Sequence, residues 1–181
     1  SDLLDWTQAG GFPEVFATAY DALVGQANLR GGQRLLVNGA GGGVGTAAVQ
    51  LGRALGADVT ASVRTEKNRA AGEELGANRA LAPDEAFAHG PFDVILELVG
   101  APNLVDNVKA LAPWGTIVVI GVSAGFEGNL DLRRLMTKRG TVRASTLRYR
   151  PPEEKAVLAR ELETSVLPLI ADGRLRVPIE A

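Results

Sequence analysis

The sequence predicts an α/β fold: a doubly wound sheet of six parallel strands, the middle of three layers, with helices on both faces. Three observations carry this expectation. Short apolar runs alternate with segments of helical spacing along the chain. The runs are nearly continuous in apolar residues, "TIVVIGV" from Thr116 most clearly, as in strands covered on both sides. The first run passes directly into a glycine-rich turn and then an amphipathic helix.

In chain order, "PEVFATAYDALVGQANL" from Pro13 sets Phe16, Tyr20 and Leu23 at helical spacing and leads into the sheet. The first strand is "RLLVN" from Arg34. After the glycine turn, Val44, Ala48, Leu51 and Leu55 form one apolar stripe on a helix that Gly56 closes. Strands follow at "DVTASV" from Asp58, a short "RAL" from Arg79 and "FDVILELV" from Phe92. Leu104, Val108 and Leu111 repeat the helical spacing until Pro113 ends it, and Trp114-Gly115 turns into "TIVVIGV". "TVRASTL", residues 141–147, is the sixth strand and an edge. "PPEEKAVLARELETSVLPLIADG" opens on Pro152 and acidic residues, carries Leu158, Leu162, Val166 and Leu169 on one face, should bend or end early at Pro168, and stops at Gly173. "RLRVPIEA" reads as the approach to a further strand. Residues 1–30 thus form a leading helical segment and 31–181 the sheet domain.

Composition narrows the function. The 181 residues are 46% hydrophobic and 22% charged, suited to one soluble domain. A net charge of -2, with dispersed basic residues, gives no field for nucleic acid or an anionic membrane surface. With no cysteine, disulfides, thiolate zinc sites and cysteine nucleophiles are excluded. His89, in "AFAHGPFD", is the one histidine and reads as surface. No apolar stretch approaches the ~20 residues of a membrane helix, and no signal-peptide layout opens the chain, so a cytoplasmic protein is expected.

The turn "NGAGGGVG" places five glycines between Gly39 and Gly45. In a dinucleotide site the backbone must turn tightly from strand to helix and let a pyrophosphate approach the amides at the helix N-terminus. A strict G-x-G-x-x-G fails in every register; Ala40-x-Gly42-x-x-Gly45 fits best, because Gly45 then falls on the first helical turn, where close helix–sheet packing demands glycine. No Lys-Ser/Thr pair follows, which excludes a P-loop. An NAD site sets an acid about 20 residues on, at the end of the second strand. Counting from Gly45, Ser62 lies 17 residues on, Arg64 19 and Glu66 21. A hydroxyl with Arg64 and Lys67 beside it suits a 2'-phosphate and favours NADPH. The alternative is that both are solvated cations and Glu66 reaches the ribose.

The segments "NGAGGGVGTAAVQLGRALGADV", "FDVILELVG", "GTIVVIGV", "KRGTVRASTLRYRPPEEK" and "VLPLIADGRLR" resemble the Rossmann cofactor domain of medium-chain dehydrogenases/reductases, in the zinc-independent NADPH:quinone oxidoreductase branch. The resemblance covers nearly the whole chain. It implies a preceding catalytic domain absent from this chain, so that turnover by these residues alone is expected to be undetectable. Gly42, Gly43, Val44 and Gly45, with Ala40, match the pyrophosphate turn. Ser62, Arg64 and Lys67 match the 2'-phosphate neighbourhood. Thr18, Gly121, Val122, Ser123, Thr146 and Leu147 match positions near the nicotinamide. Where zinc-dependent relatives carry a cysteine ligand this chain has Glu14, implying no zinc, and Ala82-Pro83 replaces a tyrosine that faces the adenosine ribose. The implied reaction is hydride transfer to a quinone or enone, with no catalytic residue identifiable here. The alternatives are an enoyl reductase acting on acyl thioesters, an NADPH-binding module without turnover, and a methyltransferase, against which Ser62 argues. Pairing of the edge strand 141–147 across a twofold axis implies a homodimer.

Overall fold

A computed structural model describes residues 4–179. The strands are β1 (Arg34–Asn38), β2 (Asp58–Ser62), β3 (Arg79–Leu81), β4 (Phe92–Glu97), β5 (Leu111–Val119) and β6 (Thr141–Ala144). They form one sheet of order β3-β2-β1-β4-β5-β6, every neighbouring pair parallel. The predicted architecture is therefore the observed one. Because strand order reverses beside β1, the ends of β1 and β4 diverge into opposite crossovers and leave a crevice between them.

Alternation along the strands builds both layers. Leu35 and Val37 of β1, and Val94 and Leu96 of β4, face one core. Leu36 and Ile95 face the other. The first core is covered by α1 (Trp6–Tyr20), α2 (Gly43–Ala54) and α7 (Pro152–Ser165), through Phe12 and Phe16, Ala48 and Leu51, and Leu162. α8 (Leu167–Ala171) adds Ile170, and α3 (Glu66–Glu74) lies over β2 and β3, with Gly72 against Ala61 and Ala80. The second is covered by α4 (Pro83–Ala88) and α5 (Leu104–Ala110) through Ala86 and Val108, with Leu135 of α6 (Leu132–Lys138) packed against it. Gly52 lets α2 settle onto the sheet, since a Cβ there would come within 2.6 Å of Leu35 Cδ2.

The leading helix starts earlier than its apolar spacing indicates. Asp5 caps it, accepting from Gln8 N at 2.8 Å while the Gln8 side chain accepts from Asp5 N. It continues as a π-helix over Asp21–Gln26. The long C-terminal helix breaks at Val166, two residues before Pro168, as expected. Three expectations need correction. The crossover helix ends at Ala110 rather than at Pro113, because Leu111 already pairs with Phe92 as the first residue of β5, which runs through Pro113 and Trp114. "TVRASTL" is a strand only to Ala144, because the Ser145 hydroxyl is drawn into contact with Asp21 and Arg150 and the chain turns at 147–150. "RLRVPIEA" forms no strand over its described residues; Glu180 and Ala181 lie outside them. Instead the Gln50 side chain accepts from Arg176 N at 2.8 Å and donates to Arg176 O at 3.0 Å, doing for one residue what a neighbouring strand would do. α4 and α6 are additional to the predicted elements.

Candidate cofactor-binding site

The crevice is a cleft of about 810 Å³, lined by the β1–α2 turn and by the ends of β2, β4 and β5. Its floor is set by glycines with distinct demands. Gly39 has φ +77, a conformation L side chains rarely adopt. Gly45 stands on the first turn of α2, where a Cβ would lie 2.5 Å from Gly39 O and 2.6 Å from Ala40 Cα, so only glycine lets the helix approach the turn. This is the packing role that the Ala40-x-Gly42-x-x-Gly45 register assigns to its third glycine. Gly42 differs: its φ of -87° is ordinary, and a Cβ would meet only Gly39 O, at 3.8 Å. Nothing among the described residues requires glycine there.

Gly42 is also the N-cap of α2, and it has no side chain to cap with. The first-turn amides of a helix have no partner within it. Here they open toward the cleft with the positive end of the helix dipole behind them, an arrangement that accepts a diphosphate. A side chain at Gly42 would occupy the space such a group needs. The donor set and the open cradle fit a dinucleotide.

Ser62 closes β2 and is buried, while Arg64 beyond it is exposed along the cleft. Thr65 caps α3, accepting from Asn68 N at 3.3 Å. Glu66, in the first turn of α3, has a side chain 94% exposed and pairs with Arg69 at 2.9 Å. Pro83 at the start of α4 lines the same corner.

Of the residues singled out from the sequence, Gly42, Gly43, Val44, Gly45, Ser62, Arg64, Gly121 and Ser123 share this lining. Ala40 is buried beneath it. Lys67 is exposed outside the lining, as is Val122, 49% exposed at the end of β5. Thr18 is half-buried on α1, and Thr146 is exposed beyond β6. Leu147 lines a separate groove of about 470 Å³, between α1 and α7, together with Glu14, Ala17 and Arg148. His89 is exposed. Lys138, whose pKa burial and the nearby Arg134 lower, donates to the Lys109 and Leu111 carbonyls and ties α6 to the end of α5, outside the cleft.

The sequence reading missed three features. Asn68 reaches over the turn, so that a Cβ on Gly41 would lie 2.7 Å from its Nδ2. Asp21, in the π-helix, is buried and receives Arg150 through both oxygens at 2.8 and 2.7 Å, fixing segment 145–150 against the end of α1. Glu97, at the end of β4, is wholly buried and surrounded by N–H donors. Asp21 and Arg150 are 129 residues apart, so no local pattern joins them. Glu97 had a signal: a carboxylate within the apolar run from Val94 to Val99.

A doubly wound sheet with a bare glycine turn at its switch point defines the chain as a Rossmann-type nucleotide-binding protein. Residues 43–164 match the family described as zinc-binding dehydrogenase, and the chain belongs to that family. It is 28% identical over 172 residues to the quinone oxidoreductase of Pongo abelii, covering 90% of this chain and 52% of that protein. It is 34% identical over 180 residues to polyketide synthase GfsB of Streptomyces halstedii, covering 96% of this chain and 3% of that much longer protein. Among solved structures, the quinone oxidoreductase from Thermus thermophilus, determined also in complex with NADPH, superposes with a TM-score of 0.83 at 33% identity, over 96% of this chain and 56% of that one. The chain spans about half the length of the quinone oxidoreductases it matches.

Proposed function

We propose that the chain is the cofactor-binding part of an NADPH-dependent oxidoreductase that passes a hydride to a quinone or an α,β-unsaturated carbonyl acceptor. The observation that carries this reading is Gly42, a helix cap with an open cleft where its side chain would be. When bound, the dinucleotide supplies the hydride. The chain's own residues orient it. The α2 amides hold the diphosphate, Ser62 and Arg64 meet the 2'-phosphate, and Gly121 and Ser123 at the end of β5 lie against the nicotinamide half. In this reading zinc is not used, because Glu14 stands where zinc-dependent relatives carry a cysteine ligand and the chain has no cysteine. No residue of this chain is assigned as a proton donor, so the acceptor's proton comes from solvent or from another part of the protein.

The test is a calorimetric titration with NADPH and NADH, repeated for Arg64→Ala. The substitution should weaken NADPH by about tenfold, the scale of one charge-assisted contact, and leave NADH unchanged. Equal affinity of the unsubstituted protein for both would overturn the phosphate assignment. The identity to a polyketide synthase favours a second reading, reduction of enoyl thioesters. Comparing enones, quinones and acyl thioesters as acceptors for the complete subunit separates the two.

The reading includes a homodimer. Every residue of β6 is exposed, and Val142, Leu132 and Met136 present apolar surface beside that open edge. Light scattering at micromolar concentration should give twice the chain mass, and Val142→Glu should shift it toward the monomer. A monomer mass for the unsubstituted chain would end this expectation.

No helix among the described residues is long and apolar enough to cross a membrane. The reading places the protein in the cytoplasm, which its composition and net charge suit.

A further inference from the structure

Glu97 is 0% exposed, and no cation pairs with it among the described residues. Its carboxylate is instead surrounded by N–H groups from three segments. Val99 N and Gly100 N donate to Oε1 at 2.7 and 2.8 Å. Asn38 Nδ2, at the end of β1, and Asn107 Nδ2, on α5, donate to Oε2 at 2.8 and 2.7 Å. Asn103 Nδ2 reaches both oxygens at 3.2–3.3 Å. The main-chain carbonyl of Glu97 accepts from Ile120 N at 2.9 Å and Gly121 N at 3.1 Å, at the end of β5. Burying a carboxylate is costly unless such donors replace water. An apolar residue would fill β4 without that demand, as Leu96 does one position earlier.

What the carboxylate secures is one half of the cleft. Val99, Asn103, Ile120 and Gly121 all line it, and Asn38 immediately precedes Gly39 of the turn. None of the Glu97 hydrogen bonds among the described residues reaches the opposite half, from Ser62 to Asn68. Asn38 Nδ2 also donates to Asn107 Oδ1 at 2.8 Å, which links the two amides, while Asn38 Oδ1 has no partner among the described residues. The asparagines thus turn their donors to the acid even where this leaves an acceptor unmet.

We propose that Glu97 is a positioning residue for the nicotinamide half of the bound dinucleotide: it joins the ends of β1 and β4 and the start of α5 through its side chain, and the end of β5 through its backbone. This rests on the dinucleotide reading above, and it deepens that reading by dividing the site into a half that Glu97 holds and a half that it does not.

The experiment titrates the protein, Glu97→Gln and Asn107→Ala with two probes, NADPH and adenosine 2',5'-bisphosphate, which carries only the adenosine end. In Glu97→Gln an NH₂ group replaces one acceptor and faces the asparagine donors. NADPH affinity should fall about tenfold while the bisphosphate changes less than about twofold. Asn107→Ala removes one donor from a side chain outside the cleft, and should give the same asymmetry with about a threefold loss. It decides the matter if Glu97→Gln does not fold. A general loss of structure would weaken both probes together, and that result overturns the proposal, as does unchanged NADPH binding in both variants. If the unsubstituted protein binds neither probe, the dinucleotide reading fails and takes this inference with it. If it binds both and the variants match it, this inference alone fails.

Discussion

Gly42→Val is expected to abolish NADPH binding, by on the order of a hundredfold or more, while leaving the thermal midpoint within about a degree of the unsubstituted protein. The backbone at Gly42 suits valine, and its side chain would stand in the open cleft. Gly45→Val should behave in the opposite way. There the new atoms would meet Gly39 O and Ala40 Cα, backbone that cannot yield as a side chain can. Overpacking of that kind costs about 3 kcal/mol, or roughly 10 °C in a domain of this size. Circular dichroism melting and calorimetric titration of both variants check the pair. NADPH affinity retained in Gly42→Val would remove the diphosphate site from the α2 terminus.

Asp21→Ala should destabilise the protein by about 3 kcal/mol, because it leaves the largely buried Arg150 only the long, exposed pair with Glu154 at 3.8 Å. The Arg150 side chain is 19% exposed and that of Asp21 8%, so neither recovers full hydration. Arg150→Met in the Asp21→Leu background should recover much of the loss, since an apolar pair of similar volume carries no stranded charge. Urea unfolding of the single and double variants measures both effects. Additive losses would show that the two side chains contribute independently rather than as a pair.

The sheet was legible because its central strands announce themselves by apolar runs and the first crossover by one apolar stripe. α2 shows this: Ala48 and Leu51 recur at helical spacing and both are buried. α6 gave no such signal. Its residues are mostly exposed, with Leu132 and Met136 facing outward, so its sequence lacks an inward stripe. α4 has only six residues, fewer than two full turns, too short for a period to emerge. The turn from Gly39 to Gly45 was readable from spacing because backbone conformation fixes Gly39 and close packing fixes Gly45, with Gly42 left between them without a steric demand. Ser62 and Arg64 followed by counting along β2. The half of the cleft at the ends of β4 and β5 was not readable in the same way. Its order comes from Glu97 meeting Asn38, 59 residues earlier, and such pairings arise only when β4 is laid beside β1. The shortening of β6 has the same origin, a competing side-chain clamp from the far end of α1.

The stacked rings of Phe12 and Phe16, 5.0 Å apart, lie in the same apolar interior as Leu35 and Leu51. Val15, between them, would touch any Cβ placed on Gly43. Swapping cofactor modules between relatives at the start of the first strand would therefore strip the roof from α2 and from the glycine corner at once. A chimera that keeps its grip on the nucleotide has to carry the leading helix along, with its junction no later than Asp5.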